Sequence, residues 1–166
     1  TGEITKDAYP LVENVTSYDE NVENITDLFK VIKAHADQGH CLLKGLLSRP
    51  LFNESRRGTT RTDDKTWWVC FDFDRHTTPD IDTALTRLGY GDVSYVLQYS
   101  SSHGLPGTEG TVSAHVFMLI KGEISAPDIK AHLMSLNMKH LDGDITLSRS
   151  QMQLRWPLDI TTCQND

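Results

Sequence analysis

Three stretches of the chain carry apolar residues at the three-to-four-residue spacing of an amphipathic helix. The predicted helices span residues 26–39, 78–89 and 125–137, with Thr26 as the N-cap of the first and Pro79 at the first helical position of the second. Each is expected to bury one apolar stripe against the rest of the protein. The predicted buried positions are Leu28, Val31, Ile32, Ala36, Ile81, Ala84, Leu85, Leu88, Ile129, Leu133 and Leu136.

Shorter apolar runs between these helices predict strands. The clearest is 66–73, T-W-W-V-C-F-D-F, which is dense in aromatic and β-branched residues. Further strands are predicted at 41–47, 93–99 and 115–120, and short strands and turns at 141–159. Residues 48–65 and 100–111 are predicted to be loops. Because strands and helices are interleaved with hairpin-like returns, we expect an α+β fold with the helices packed on one side of the sheet.

Length and composition indicate one domain over residues 1–166, since 38% hydrophobic residues in 166 suffice for a core. No apolar run approaches the roughly 18 residues of a membrane helix, and no secretory signal is present, so no membrane contact is expected. The first residue is not Met and the chain ends in a polar stretch, which predicts a fragment of a larger protein.

Cysteine usage points to a reducing compartment. Cys41, Cys70 and Cys163 lie far apart and form no C-x-x-C pair, which argues against a zinc knuckle and a disulfide framework and predicts a cytoplasmic location. The net charge of −7 argues against a simple nucleic-acid coat protein. Residues 44–65, however, carry a local charge of +3, and an enzyme that handles nucleic acid needs only a local basic track.

Asp72 and Asp74 are the first candidates for chemistry. Residues two apart in a strand point to the same face, so both carboxylates project together from the end of an apolar strand. Two such acids repel each other unless a cation lies between them, and Mg²⁺ typically takes one or two carboxylates plus substrate phosphates. The alternative is a pair of surface acids where the strand meets its loop.

His115 is the second candidate. It opens an apolar strand after Ser113 and a Ser/Gly-rich loop whose backbone N–H groups could bind a phosphate. The alternative is a structural histidine, and His103 in the loop is a rival for the same role. A third group comprises Asp142 and Asp144 in a Gly turn, followed by arginines able to neutralise phosphates, Arg149 and Arg155.

The order of these motifs resembles the archaeo-eukaryotic primase superfamily, the primase-polymerases of phages, plasmids and viruses. The first motif, Phe71-Asp72-Phe73-Asp74, ends a strand. The second, Ser113-Ala114-His115, comes before a strand, and its histidine lies 43 residues after Asp72. The third is Leu141-Asp142, whose aspartate lies 27 residues after His115. The resemblance covers about residues 40–160. The chain departs from the family in a longer loop before the histidine, in lacking a cysteine cluster or helicase segment, and in a third carboxylate that stays open among Asp142, Asp144 and Asp159.

The resemblance implies an RRM-like sheet and a template-dependent nucleotidyltransferase that joins NTPs or dNTPs. It implies that Asp72, Asp74 and Asp142, with Asp144 as a further candidate ligand, bind two Mg²⁺ or Mn²⁺ ions. It also implies triphosphate contacts from Ser113 and His115, and phosphate or template contacts from Arg149 and Arg155. The implied partners are single-stranded DNA, the nucleotides, and a helicase domain or protein.

Three other functions share parts of this pattern. A Rep-type nicking endonuclease needs a His-x-His pair, which the sequence lacks. A D-x-D glycosyltransferase would bind one metal ion and a nucleotide-sugar. A non-catalytic RRM module would present exposed aromatic residues above a basic surface, whereas here the central strand ends in two acids.

Overall fold

Helices and strands alternate along the chain, which confirms the predicted α+β class. The structure is a computed structural model that describes residues 12–43, 45–61, 65–148, 150 and 152–162. Its elements are α1 (Ile25–Ala36), β1 (Lys65–Thr77), α2 (Ile81–Arg87), β2 (Val96–Tyr99), β3 (Thr111–Ser125), α3 (Ala126–His140), a 3₁₀ turn (Asp142–Asp144), β4 (Thr146–Leu147) and β5 (Leu154–Arg155). Within these ranges, none of the helices combines the length and apolarity needed to cross a bilayer.

The main sheet is antiparallel and has the strand order β1-β3-β2. β1 and β3 form a long ribbon, and β2 pairs with the other side of β3. Phe73 of β1 also forms an isolated antiparallel bridge with Leu158, on the edge of β1 that β3 does not occupy. The segment around Leu158 therefore lies beside β1 as a minimal fourth row. β4 and β5 pair with each other in a separate hairpin.

The core lies between one face of this sheet and the helices α2 and α3. Alternate residues of β1, Val69, Phe71 and Phe73, pack with the apolar stripes of both helices. Ser125 caps α3 by accepting a hydrogen bond from the Asp128 N–H. The predicted stripes of these two helices are confirmed, since their members are all buried: Ile81, Ala84, Leu85, Leu88, Ile129, Leu133 and Leu136.

The opposite face of the sheet is covered over part of its length by α1. Leu28 of α1 packs in a second apolar cluster with Cys70, Val96 and Phe117. The expectation that the helices lie on one side of the sheet therefore holds for α2 and α3 and is wrong for α1. The physical reason is that these positions of β1, β2 and β3 are apolar on their second face as well, so that face also needs a cover.

Two predicted helix starts and one predicted strand were wrong. Asn24, not Thr26, caps α1, since its Oδ1 accepts hydrogen bonds from the N–H groups of Thr26 and Asp27. Asp80, one residue after the predicted proline start, caps α2 by accepting from the Thr83 N–H, so the helix begins at Ile81. In the described part of 41–47 no strand forms beyond a single bridge at Leu47, because the apolar run stays exposed instead of meeting a sheet.

Candidate metal and nucleotide site

A row of polar residues crosses the sheet just beyond the part that α1 covers. Asp72 of β1, His115 of β3 and Gln98 of β2 are direct neighbours in the strand register. The preceding row on this face, Cys70–Phe117–Val96, is the apolar row buried under α1. Alternation along the strands therefore gives this face an apolar covered end and a polar open end.

Asp72 and His115 form a cross-strand pair. The Nε2 atom of His115 lies 3.2 Å from Oδ2 of Asp72, and their side chains are 35% and 23% exposed. The contact is an ion pair when His115 is protonated. The pair places an imidazole beside a carboxylate on the open face. The prediction that His115 opens its strand is wrong, because β3 begins four residues earlier, at Thr111.

Asp74 lies in a β-bulge. The register between β1 and β3 shifts between Phe73 and His76, and Arg75 adopts a left-handed conformation with φ of 52°. The hydroxyl of Ser113 accepts a hydrogen bond from the Arg75 N–H at 3.0 Å and so supports this turn. Bulges redirect side chains, and here the Asp74 side chain is 57% exposed.

Ser113 was predicted to contact nucleotide, and its position gives it a different task. It is 3% exposed, and its hydroxyl is engaged with the backbone of Arg75. Its buried side chain therefore stabilises the bulge that carries Asp74. The rival histidine, His103, stacks on Tyr99 at 4.3 Å between ring centroids, and its Nδ1 accepts from the Ser113 N–H at 3.5 Å.

Arg155 reaches the candidate site from the separate hairpin. Its Nη2 lies 2.7 Å from Oδ2 of Asp74, so β5 brings a guanidinium to this acid of β1. The two residues line a cleft of about 480 Å³ with Trp156, Asp159 and Thr161. The other predicted arginine, Arg149, lies outside the described residues.

Asp159 is the acid whose backbone the fold pairs with that of Asp72. Its N–H donates to the carbonyl oxygen of Asp72 at 2.8 Å, as part of the bridge between Phe73 and Leu158. Since Leu158 and Phe73 are both buried in the core, alternation directs Asp159 and Asp72 away from it together. The Asp159 carboxylate accepts hydrogen bonds from the N–H and hydroxyl of Thr161 at 2.8–2.9 Å.

The edge segment that carries Asp159 is held by a buried amide. Asn137 of α3 donates to the Leu158 carbonyl at 2.8 Å and accepts from the Leu158 N–H at 3.1 Å. Its amide group thereby makes the two backbone hydrogen bonds that a neighbouring strand would otherwise make to Leu158. Sequence reasoning missed Asn137, although a polar residue on the inward face of an amphipathic helix is a signal for such a buried contact.

Asp142 and Asp144 lie elsewhere. Both belong to the 3₁₀ turn after α3, and Oδ2 of Asp144 pairs with Nη1 of Arg87 on α2 at 2.9 Å. The helices α2 and α3 cover the face of the sheet opposite to the one that Asp72 and Asp74 occupy. The structure therefore does not bring the predicted third ligand, Asp142, or its neighbour Asp144 together with the acids of β1.

Each acid of the open end already has a partner. Among the described residues, no three His, Cys, Asp or Glu side chains are grouped closely enough to hold a metal ion together. Asp72 contacts His115, Asp74 contacts Arg155, and Asp159 contacts Thr161. The donors are nevertheless exposed or half-buried carboxylates, the ligand class that Mg²⁺ and Mn²⁺ prefer. The cationic partners, His115 when protonated and Arg155, are groups that a phosphate could engage instead.

Comparison with protein-family models, with curated proteins and with solved structures found no match for this chain.

Proposed function

We propose that this protein is a template-dependent nucleotidyltransferase of the primase-polymerase kind. The observation that carries the proposal is the open end of the sheet, where Asp72 and Asp74 lie on β1 and the backbone of Asp159 is bonded to that of Asp72. His115 contacts Asp72 there, and Arg155 contacts Asp74. Phosphoryl transfer needs mainly positioning and charge neutralisation, and carboxylates, an imidazole and a guanidinium on one rigid edge supply both.

The strand order supports the same proposal. With the segment of Leu158 counted as a fourth row, the order is fourth–β1–β3–β2, and α2 and α3 lie together on one face. We propose that this order is that of an RRM-like sheet whose last strand is reduced to a bridge. The acids lie on the face opposite these two helices, the side on which RRM-like sheets bind nucleic acid.

We assign the third carboxylate to Asp159 in place of Asp142. Mg²⁺ or Mn²⁺ bound by Asp72, Asp74 and Asp159 would activate the attacking hydroxyl and neutralise the triphosphate. For these acids to act as ligands, Arg155 must release Asp74 and His115 must release Asp72. Arg155 and His115 are then free to bind the phosphate oxygens of the incoming nucleotide. One rearrangement would therefore make the acids available to the metal ions and these two side chains available to the phosphates.

The covered half of the same face argues against a non-catalytic RRM module. Such modules stack bases on exposed aromatic residues of the sheet. Here the aromatic residues at the corresponding positions, Trp68 and Phe117, pack in the cluster that α1 covers. The face therefore offers acids where an RNA-binding module would offer a stacking surface.

Template and partner proteins belong to the proposal as well. The segment 45–61 carries Arg56 and Arg57 as exposed or half-buried cations, and we propose that it contacts a single-stranded DNA template. We further propose that the chain works with a helicase domain or protein, because a net charge of −7 gives weak DNA affinity unaided.

The test is incubation with a single-stranded DNA template, labelled NTPs or dNTPs, and Mg²⁺ or Mn²⁺. We expect product longer than one nucleotide, loss of product in EDTA, and loss in the Asp72→Asn and Asp74→Asn variants. Asp92→Asn is the matched control, because Asp92 is an exposed acid remote from the site, in the turn before β2. Full activity of the double Asp72→Asn/Asp74→Asn variant, or transfer of a sugar from a nucleotide-sugar instead of nucleotide joining, would overturn the proposal.

A further inference from the structure

A second cluster of titratable side chains lies at the C-terminal end of α1. His35 is in the last turn of this helix, and the left-handed Gly39, with φ of 74°, turns the chain back so that the His40 N–H donates to the His35 carbonyl at 3.0 Å. This turn brings the two imidazoles together, with their Nδ1 atoms 2.8 Å apart. The cluster is built from residues that the proposed function does not use.

Hydrogen bonds link three side chains in this cluster. Oε1 of Glu20 lies 3.1 Å from Nε2 of His35, and since a carboxylate only accepts, Nε2 carries the hydrogen. Of the two Nδ1 atoms in contact, one donates a hydrogen and the other accepts it. Tyr18 stacks on the His40 ring at 5.2 Å with an angle of 11° between the planes, which fixes the ring.

We propose that His35 and His40 bind one divalent transition-metal ion, Zn²⁺ or an ion of similar preference, through their two Nδ1 atoms. A histidine whose other ring nitrogen donates to a carboxylate, as His35 does to Glu20, has the arrangement typical of a metal ligand. Imidazole nitrogen suits Zn²⁺, whereas the carboxylates of the sheet suit Mg²⁺ and Mn²⁺, so the two sites select different ions.

Binding requires a change in the proton and in the ring positions. Both Nδ1 atoms must be lone pairs, so the hydrogen shared between them moves to a ring Nε2 or leaves to solvent. With metal–nitrogen bonds of about 2.0–2.1 Å, tetrahedral coordination would place the two nitrogens roughly 3.4 Å apart, so the rings must separate by less than about 1 Å and turn until both lone pairs point at the ion. Among the described residues no third His, Cys, Asp or Glu completes the set, so water fills the other positions.

The test is a calorimetric titration of the full chain with ZnCl₂ near neutral pH, in excess Mg²⁺ to occupy the carboxylates. We expect one equivalent of Zn²⁺ and a rise in Tm. His35→Ala and His40→Ala should each lower the affinity about 100-fold or more, and Glu20→Gln about tenfold. Cys41→Ser is the matched control, because this exposed thiol adjoins His40 in sequence but lies outside the cluster, and it should leave the affinity unchanged.

Circular dichroism of each variant shows whether it is folded before titration. Zn²⁺ affinity that is unchanged in folded His35→Ala and His40→Ala would overturn the proposal. So would a loss of binding in Cys41→Ser as large as in the histidine variants. The result does not depend on nucleotide joining, so failure here and failure of the proposed function are distinguishable.

Discussion

Asp159 and Asp142 lie in different parts of the fold, and this difference makes their roles separable by mutation. The N–H of Asp159 donates to the carbonyl oxygen of Asp72, whereas Asp142 lies exposed in the 3₁₀ turn that follows α3. Asp159→Asn keeps a side-chain oxygen that can accept from Thr161, yet removes the charge that a metal ligand needs. We expect it to lower nucleotide joining about 100-fold or more, because metal neutralisation is worth several kcal/mol.

Asp142→Asn is the matched control for that experiment. It should leave the rate of nucleotide joining within about twofold of the unmodified protein, as surface substitutions usually do. Single-turnover rates at saturating Mn²⁺ measure both variants. The reverse ranking, with Asp142→Asn inactive and Asp159→Asn active, would return the third carboxylate to the 3₁₀ turn.

His115 should act on the nucleotide rather than on the template. Its imidazole lies beside Asp72, where the triphosphate would bind, and a hydrogen bond to a charged group contributes about 1.5–3 kcal/mol. His115→Ala should therefore weaken triphosphate binding about tenfold to 100-fold while template affinity without nucleotide stays constant. Calorimetry with a non-hydrolysable triphosphate and anisotropy with labelled DNA measure the two affinities. If His103→Ala alone gives the nucleotide defect, His115 is not the contact.

His76 should make stability depend on pH. It is 2% exposed, it stacks on Phe73, and neither ring nitrogen has a hydrogen-bond partner in the part of the chain that the structure describes. Burial lowers the pKa of His76; the nearby Asp144 raises it in part and Arg87 lowers it. The unfolded chain then binds the proton more readily than the folded one, so the free energy of unfolding falls as pH drops through about 6.5 and is constant above it.

His76→Phe removes the titrating group and keeps a ring against Phe73. As pH falls from about 8 to about 5, we expect the unmodified protein to lose more unfolding free energy than the variant, so the variant gains in relative stability. Urea titrations across that range measure it. Parallel stability curves for the two proteins would show that His76 does not titrate differently on folding.

At the scale of elements, the edge segment around Leu158 depends on a single helix side chain. The amide of Asn137 bonds both backbone groups of Leu158, and both residues are 0% exposed. Asn137→Leu has nearly the same size but leaves these two backbone groups buried without partners. We expect it to lower the free energy of unfolding by about 2–6 kcal/mol, from about 1–3 kcal/mol for each of the two unsatisfied groups.

The same variant should also lose nucleotide joining at temperatures where it remains folded, because Asp159 loses its place beside Asp72. The control is Met138→Leu on the exposed side of the same helix, which should change neither property. Urea unfolding and the joining assay measure both effects. An Asn137→Leu protein with less than about 1 kcal/mol of destabilisation would show that Asn137 does not hold the edge segment.

The bulge of β1 is a second element-scale feature, and periodicity could not reveal it. Strict alternation places Asp74 directly in line with Asp72, but the register shift after Phe73 and the left-handed Arg75 turn Asp74 outward toward β5. The sequence signal was weak, since arginine has no special preference for positive φ. The contact that supports this conformation, from the Arg75 N–H to Ser113, joins residues 38 positions apart.

At the scale of the whole molecule, patterns within one element were predictable and pairings between distant elements were not. The stripe Ile81–Ala84–Leu85–Leu88 and the apolar part of strand β1 follow from local periodicity. The end of β1 does not, because the strand continues past the predicted limit at Phe73 to Thr77. Asp159 lies 87 residues from Asp72 in sequence, and only the return of the chain after α3 brings it to the sheet edge. Its hydrophobic context, Leu158-Asp159, is the same as that of Leu141-Asp142, so local sequence could not rank the two.

The most direct test of the account is a crystal soaked with Mn²⁺ and a non-hydrolysable triphosphate, with anomalous diffraction locating the ions. We expect Mn²⁺ within about 2.3 Å of carboxylate oxygens of Asp72, Asp74 and Asp159. We also expect Arg155 to have moved from Asp74 to the phosphates. Mn²⁺ bound at Asp142 and Asp144, or an unchanged ion pair between Arg155 and Asp74 with no ion nearby, would contradict the central claim.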